Sequence, residues 1–254
     1  MVAPPTAPPT RRSLAILLLA LTGLALGGTL GAASAQTDPP RPDTDATTAM
    51  PSGAPPLNDE YHYRWSLGGF GGFIGRLFLP GHGEGVLTYR TEDGQVQSEL
   101  LVTSEASDDG EYWQYGSTID PRTGNSTEAW SAYRWRGKEK SRRQEVEVEG
   151  VKDIVAGILA LRRDPPNGPL EMEIWSDGKV YPVLVEPKGR EERKIGDEIV
   201  MTRRFSFGPG GERDGRRWKG GMEVWIAEDK AATPVEIRLV RSLAKLNLRL
   251  VEMP

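Results

Sequence analysis

The stretch Leu170-Glu171-Met172-Glu173-Ile174-Trp175-Ser176-Asp177-Gly178-Lys179-Val180-Tyr181-Pro182-Val183 decides the fold. Leu170, Met172 and Ile174 alternate with Glu171 and Glu173, the period-two pattern of a strand with one apolar and one polar face. Asp177-Gly178 follows, a dipeptide suited to a tight hairpin because both positions tolerate a positive φ. An apolar run from Val180 to Glu186 resumes behind it. One-sided strands joined by so short a turn pair antiparallel, because a parallel pair needs a long crossover.

The same period extends in both directions. Tyr61, Tyr63, Trp65 and Leu67 alternate with His62, Arg64 and Ser66, which predicts a first strand with an aromatic buried face. Val146 and Val148 alternate with Glu145, Glu147 and Glu149 in the same way. Further strands are expected over Glu198 to Phe207, Met222 to Ile226, Pro234 to Val240 and Lys245 to Val251. Among them Trp225 is expected to pack inward, and Leu246, Leu248 and Leu250 to be buried.

One segment breaks the pattern. Ile154, Val155, Ile158, Leu159 and Leu161 recur at helical spacing after Asp153, Arg162 and Arg163 suit the negative end of a helix dipole, and Pro165-Pro166 stops the run. The expected fold is therefore mainly β: a single curved antiparallel sheet or partly open barrel, with one short amphipathic helix packed against its concave side.

Residues 58–254 hold all seven tryptophans, seven tyrosines and five phenylalanines with no internal linker, which predicts a single β-rich domain. Residues 36–57 are rich in Pro, Thr and Asp with almost no apolar content, a disordered linker that cannot repay the entropy of ordering. Residues 1–35 read as a cleaved export signal. Arg11-Arg12 precedes the apolar run Leu14 to Leu26, a glycine-rich taper follows, and Ala33-Ser34-Ala35 leaves small residues for cleavage near Ala35-Gln36. A periplasmic or secreted location follows, with no retained transmembrane helix.

Loss of Arg11 and Arg12 moves the formal charge from -4 to -6. An acidic surface gives no general electrostatic reason to bind nucleic acid. The runs Lys138 to Arg143 and Arg213 to Arg217 are interrupted by acids and turn formers and are expected at hairpin ends. The chain has no cysteine, so an exported product must be held by its core without disulfides.

Motifs for chemistry are sparse. Gly68-Gly69-Phe70-Gly71-Gly72-Phe73-Ile74-Gly75 departs from a dinucleotide fingerprint, because counting from Gly69 the sixth position is Ile74. These glycines are expected to bend a strand while Phe70 and Phe73 pack or line an opening. His62 and His82 lack the spacing of a zinc site, and no metal or cofactor is expected. His82, in Pro80-Gly81-His82-Gly83-Glu84-Gly85, is the sole weak catalytic candidate. The aromatic residues carry more: Tyr63, Trp65, Phe70, Phe73, Trp113, Tyr115, Trp130 and Trp135 are candidate ligand-binding residues. Arg64, Arg134 and Arg204 are expected to orient an anionic end.

The C-terminal half resembles an exported bacterial family catalogued as a domain of unknown function, number three-one-zero-eight. The residues that carry the likeness are Leu170 to Val183, Met222-Glu223-Val224-Trp225-Ile226-Ala227-Glu228-Asp229, Ala232-Thr233-Pro234-Val235-Glu236-Ile237 and the closing Leu248-Arg249-Leu250. The resemblance implies an exported, mainly β-stranded protein and transfers no catalytic residue. The chain departs from the pattern at Gly208 to Gly221, an insertion before the Trp225 strand.

The expected function is a non-enzymatic envelope protein that binds an apolar, lipid-like or glycan-like component, or an envelope protein. Two alternatives are a hydrolase acting on an envelope glycan or ester through His82, and an interaction scaffold in envelope assembly.

Overall fold

A computed structural model describes residues 57–68, 81–105, 110–135, 137–241 and 244–254. The expected export signal, most of the expected linker and the Gly69 to Gly75 stretch in which a bend is expected, with Phe70 and Phe73, lie outside them. The elements run β1 (Asn58–Gly68), β2 (His82–Glu92), β3 (Gln95–Ser104), β4 (Tyr112–Ile119), β5 (Ser126–Trp135), β6 (Lys138–Glu145) and β7 (Val151–Asp153). They continue with α1 (Ile154–Arg163), β8 (Leu170–Ser176), β9 (Lys179–Ile195), β10 (Glu198–Pro209), β11 (Gly221–Ala227), β12 (Pro234–Arg241) and β13 (Ala244–Leu250).

Among the described residues, all thirteen strands belong to one open sheet in the order β6-β5-β4-β3-β2-β1-β13-β12-β11-β10-β9-β8-β7. Every neighbouring pair is antiparallel except β7 with β8. The strands follow sequence order as a meander, and β1 pairs with β13 to join its two halves, with Trp65 opposite Leu248. The hairpin at Asp177-Gly178 forms as its sequence predicts, with φ of 49° and 79°.

Alternation assigns the two faces. Tyr61, Tyr63 and Trp65 of β1, Leu87 and Tyr89 of β2, Leu100 and Val102 of β3, Val224 of β11, Ile237 of β12 and Leu248 of β13 are buried on the concave face. There α1 packs against them, with Val155, Ile158 and Leu161 fully buried. Two contacts fix the helix. Tyr89 donates from its hydroxyl to the Val155 carbonyl at 3.0 Å. Arg162 donates to Asp59 Oδ2 at 2.8 Å, and to the carbonyls of Ala231 and Ala232.

The sheet curls until its edges overlap instead of pairing. Val151 and Trp175 on the β7–β8 edge pack against Ala129 of β5, so the convex side of one edge lies under the concave side of the other. Side chains fasten this seam: Lys140 to Asp177 at 3.0 Å, Arg142 to the Asp177 carbonyl at 3.1 Å, and Lys152 to Asn125 at 2.9 Å. Asp153 sits at the centre of the seam. It caps α1, its Oδ1 accepting from the Ala156 amide and from Ser117 Oγ, each at 2.7 Å, and its own amide donates to Ser126 Oγ. Ser98 extends the chain, 3.1 Å from Ser117 Oγ. Asp153 Oδ2 is buried without a hydrogen-bond partner, and burial pushes the carboxyl above its ordinary pKa even though the Ala156 and Ser117 bonds oppose it.

Three expectations are corrected. Trp225 is buried but lies on the convex face, opposite in alternation to Met222 and Val224. The guanidinium groups of Arg193, Arg204 and Arg238 cover its ring at 4.6, 5.2 and 4.5 Å, and their stems exclude water from it. The basic run Lys138 to Arg143 is not a hairpin end but most of β6, an edge strand exposed throughout. Charge on both sides is tolerable there because neither side is buried, and it discourages pairing with another sheet. The strand expected around Val146 and Val148 ends at Glu145. Val148 is 42% exposed, and the chain turns at Gly150, φ 83°, to enter β7.

Candidate functional site

One rim of the rolled sheet is formed where β1, β3 and β5 end and β2, β4 and β6 begin. Helix α1 ends at the opposite rim, where Arg162 meets Asp59 and the 231–232 carbonyls. At the first rim, Trp65, Trp113, Tyr115, Tyr133 and Trp135 share the concave face. The register follows directly: Val102 pairs with Trp113, Leu100 with Tyr115, and Trp113 with Tyr133. Trp113 and Trp135 stack at 5.2 Å between ring centroids, tilted by 38°.

Trp65 is seated by a missing side chain. Its indole donates to the Thr103 carbonyl at 2.7 Å and lies against Gly83. A Cβ on Gly83 would stand 2.5 Å from Trp65 Nε1 and 2.1 Å from Thr103 O, so only glycine admits this ring position. Across the same rim, Tyr181 of β9 meets Trp218 edge to face at 5.6 Å. Trp218 Nε1 is buried without an acceptor. Burial pushes the Tyr115 hydroxyl well above its ordinary pKa, with the Asp177 carboxylate adding to the shift.

The structure divides the sequence-predicted residues. Trp65, Trp113, Tyr115 and Trp135 come together on this rim, and Tyr63 lies deeper, fully buried with its hydroxyl on the Pro234 carbonyl at 2.6 Å. Trp130 does not join them. It is on the convex face, where Arg143 lies 4.6 Å above its ring and Gly116 gives it room. Arg64, Arg134 and Arg204 are also convex, so none reaches the aromatic rim from the concave side. Arg64 faces Glu84 and Arg249 in the register, Arg134 bonds Glu139 at 3.0 Å, and Arg204 bonds Glu223. Tyr181 and Trp218 complete the rim and were not singled out in the sequence. Tyr181 shares the alternation of Val183 and Val185, whereas Trp218 lies in a Gly- and Arg-rich connection with no periodicity to reveal it.

His82 begins β2 and pairs with Glu105 at 3.1 Å with 66% of its side chain exposed. Among the described residues no group of three His, Cys, Asp or Glu side chains is placed to hold a metal ion. No described helix is long and apolar enough to cross a membrane.

No family model and no curated protein matches the chain, so the resemblance to family three-one-zero-eight rests on its quoted residues alone. Among solved structures, the chain is similar to a β-barrel-like protein of the domain of unknown function DUF1849 from Brucella abortus. The TM-score is 0.40 at 9% sequence identity, over 77% of this chain and 96% of that one.

Proposed function

We propose that this is an exported envelope protein that holds an apolar or glycan-like molecule, without chemistry, against the aromatic rim of its rolled sheet. The observation that carries this reading is the gathering of Trp65, Trp113, Tyr115, Tyr133 and Trp135 on one concave surface, with Trp113 and Trp135 stacked at 5.2 Å. Aromatic rings bury much apolar area at little entropic cost and also stack on sugar faces. Tyr115, Tyr133 and Trp135 remain half-buried, so they present surface to a ligand as well as to the core. The export reading of residues 1–35 supplies the compartment in which such molecules occur.

The test is mass spectrometry of the protein purified from its native envelope, set beside the Trp135→Ala variant prepared identically. A molecule retained by the wild type and lost from the variant, with cooperative melting preserved, is the expected result. Wild-type protein that carries nothing, and whose fluorescence is unchanged by detergent monomers or oligosaccharides, would sink the proposal.

A further inference from the structure

Ser104 ends the concave-facing series Ser98, Leu100 and Val102 of β3 and pairs with Gly83, the residue whose missing Cβ seats the Trp65 indole. Its hydroxyl therefore belongs to the aromatic rim. Ser104 Oγ is buried without a hydrogen-bond partner, and so is Trp218 Nε1 across the same rim. Buried hydroxyl and indole N–H groups are costly to leave unbonded and are rarely left so in native proteins.

Three phenols add to these two groups. Tyr115, Tyr133 and Tyr181 are half-buried, and among the described residues no partner bonds their hydroxyls. One carboxylate links the two sides of the rim. Burial raises the pKa of Tyr115 and of Tyr181, Arg216 opposes the rise at Tyr181, and Asp177 adds to it at both. The charge of Asp177 is already met, because Lys140 bonds its carboxylate at 3.0 Å and Arg142 its carbonyl at 3.1 Å. The five groups without partners, Ser104 Oγ, Trp218 Nε1 and the three phenols, are all uncharged.

An acyl chain covers aromatic rings but leaves such groups unbonded. A sugar ring has a C–H face that stacks on an indole and an edge of hydroxyls that both donate and accept. We propose that the rim binds a neutral glycan, stacked against Trp113 and Trp135 and hydrogen-bonded by Ser104 Oγ and Trp218 Nε1. This assignment rests on the reading of the rim as a binding site, and narrows its ligand from apolar or glycan-like to glycan alone.

The experiment titrates the full chain with chitohexaose and with cellohexaose, and separately with monomeric lauric acid, followed by tryptophan emission and by calorimetry. Wild-type protein is expected to bind at least one of the hexasaccharides. Ser104→Ala and Trp218→Phe each remove an unbonded buried group and keep the packing, so each should melt at or above the wild-type temperature. Each should also bind the sugar about tenfold more weakly, the loss of one hydrogen bond. Binding of lauric acid without either sugar would overturn the glycan assignment and leave the rim a binding site, whereas binding of no probe would overturn both. Sugar binding as tight in Ser104→Ala and Trp218→Phe as in the wild type would also overturn the assignment.

Discussion

Asp153 joins the helix, the seam and the core through one carboxylate, so its replacement is the most telling perturbation of the fold. Asp153→Ala removes the acceptor of the Ala156 amide, a helix cap whose loss costs about 1 kcal/mol. It also deprives Ser117 Oγ of its acceptor across the seam, a further cost of about 1 kcal/mol. The expected loss is about 2 kcal/mol. For a domain with a urea m-value of about 2–3 kcal/mol/M, the midpoint falls by roughly 0.7–1 M. Asp153→Asn keeps Oδ1 and both bonds, and dispenses with a charge that burial disfavours. The two variants therefore separate by about the same 2 kcal/mol.

The pH dependence has a definite sign. The folded carboxyl titrates above its unfolded value of about 3.9. Between those two values the folded state binds more protons, so stability falls as pH rises. Measured against Asp153→Asn, the wild type should thus lose ground from about pH 4 upward and level off once the folded carboxyl has ionised. Urea unfolding followed by tryptophan emission from pH 4 to 8 reads both effects. Equal midpoints for the Ala and Asn variants, or a wild type that gains on the Asn variant as pH rises, would refute the roles given to Asp153.

Two further outcomes follow from the same architecture. Deleting Lys245 to Pro254 removes nearly all of β13, which bridges β1 and β12 in the interior of the sheet; the truncated protein should show no cooperative unfolding in calorimetry, and an unchanged transition would contradict this topology. Arg162→Ala leaves Asp59, the Tyr61 hydroxyl and the Ala231 and Ala232 carbonyls without their shared donor. It should cost about 3–5 kcal/mol in chemical denaturation, and a loss under 1 kcal/mol would show that these groups find other partners.

The parts of the fold legible in sequence are those where one face is apolar and the other is not. β1, the β8–β9 hairpin and β10 to β13 announce themselves by alternation, and α1 by its helical stripe. β6 and the second half of β9 are hidden for one reason: Lys138 to Glu145 and Pro187 to Lys194 lack an apolar face because they bury none, and their backbone pairing alone makes them strands. For the site, the division between Trp130 and Trp135 was within reach of counting. Five residues apart on one strand, they must face opposite ways. The same parity sets Trp225 opposite Val224, but nothing in the sequence says that three arginines from β9, β10 and β12 would supply its cover.

The seam is illegible for a deeper reason, and it also bears on function. Strand number and stagger fix the radius of a closed barrel through its hydrogen-bond ladder. Here β7 is three residues long and parallel to β8, and the overlap is held by Lys140, Arg142, Lys152 and Asp153 through side chains. Among the described residues no ladder closes the sheet, and α1 packs inside it. The helix presses Gly157 against Ile174 and Phe207 on one side, and through Val155 and Arg162 engages Tyr89 and Tyr61 on the other. Its seven consecutive buried residues, Val155 to Leu161, are what a spacer inside a rolled sheet requires, and Asp153 ties that spacer to the seam. The aromatic rim lies beyond its reach at the other end. There side chains of the sheet and its connections take over the packing, Trp113 against Trp135 and Tyr181 against Trp218.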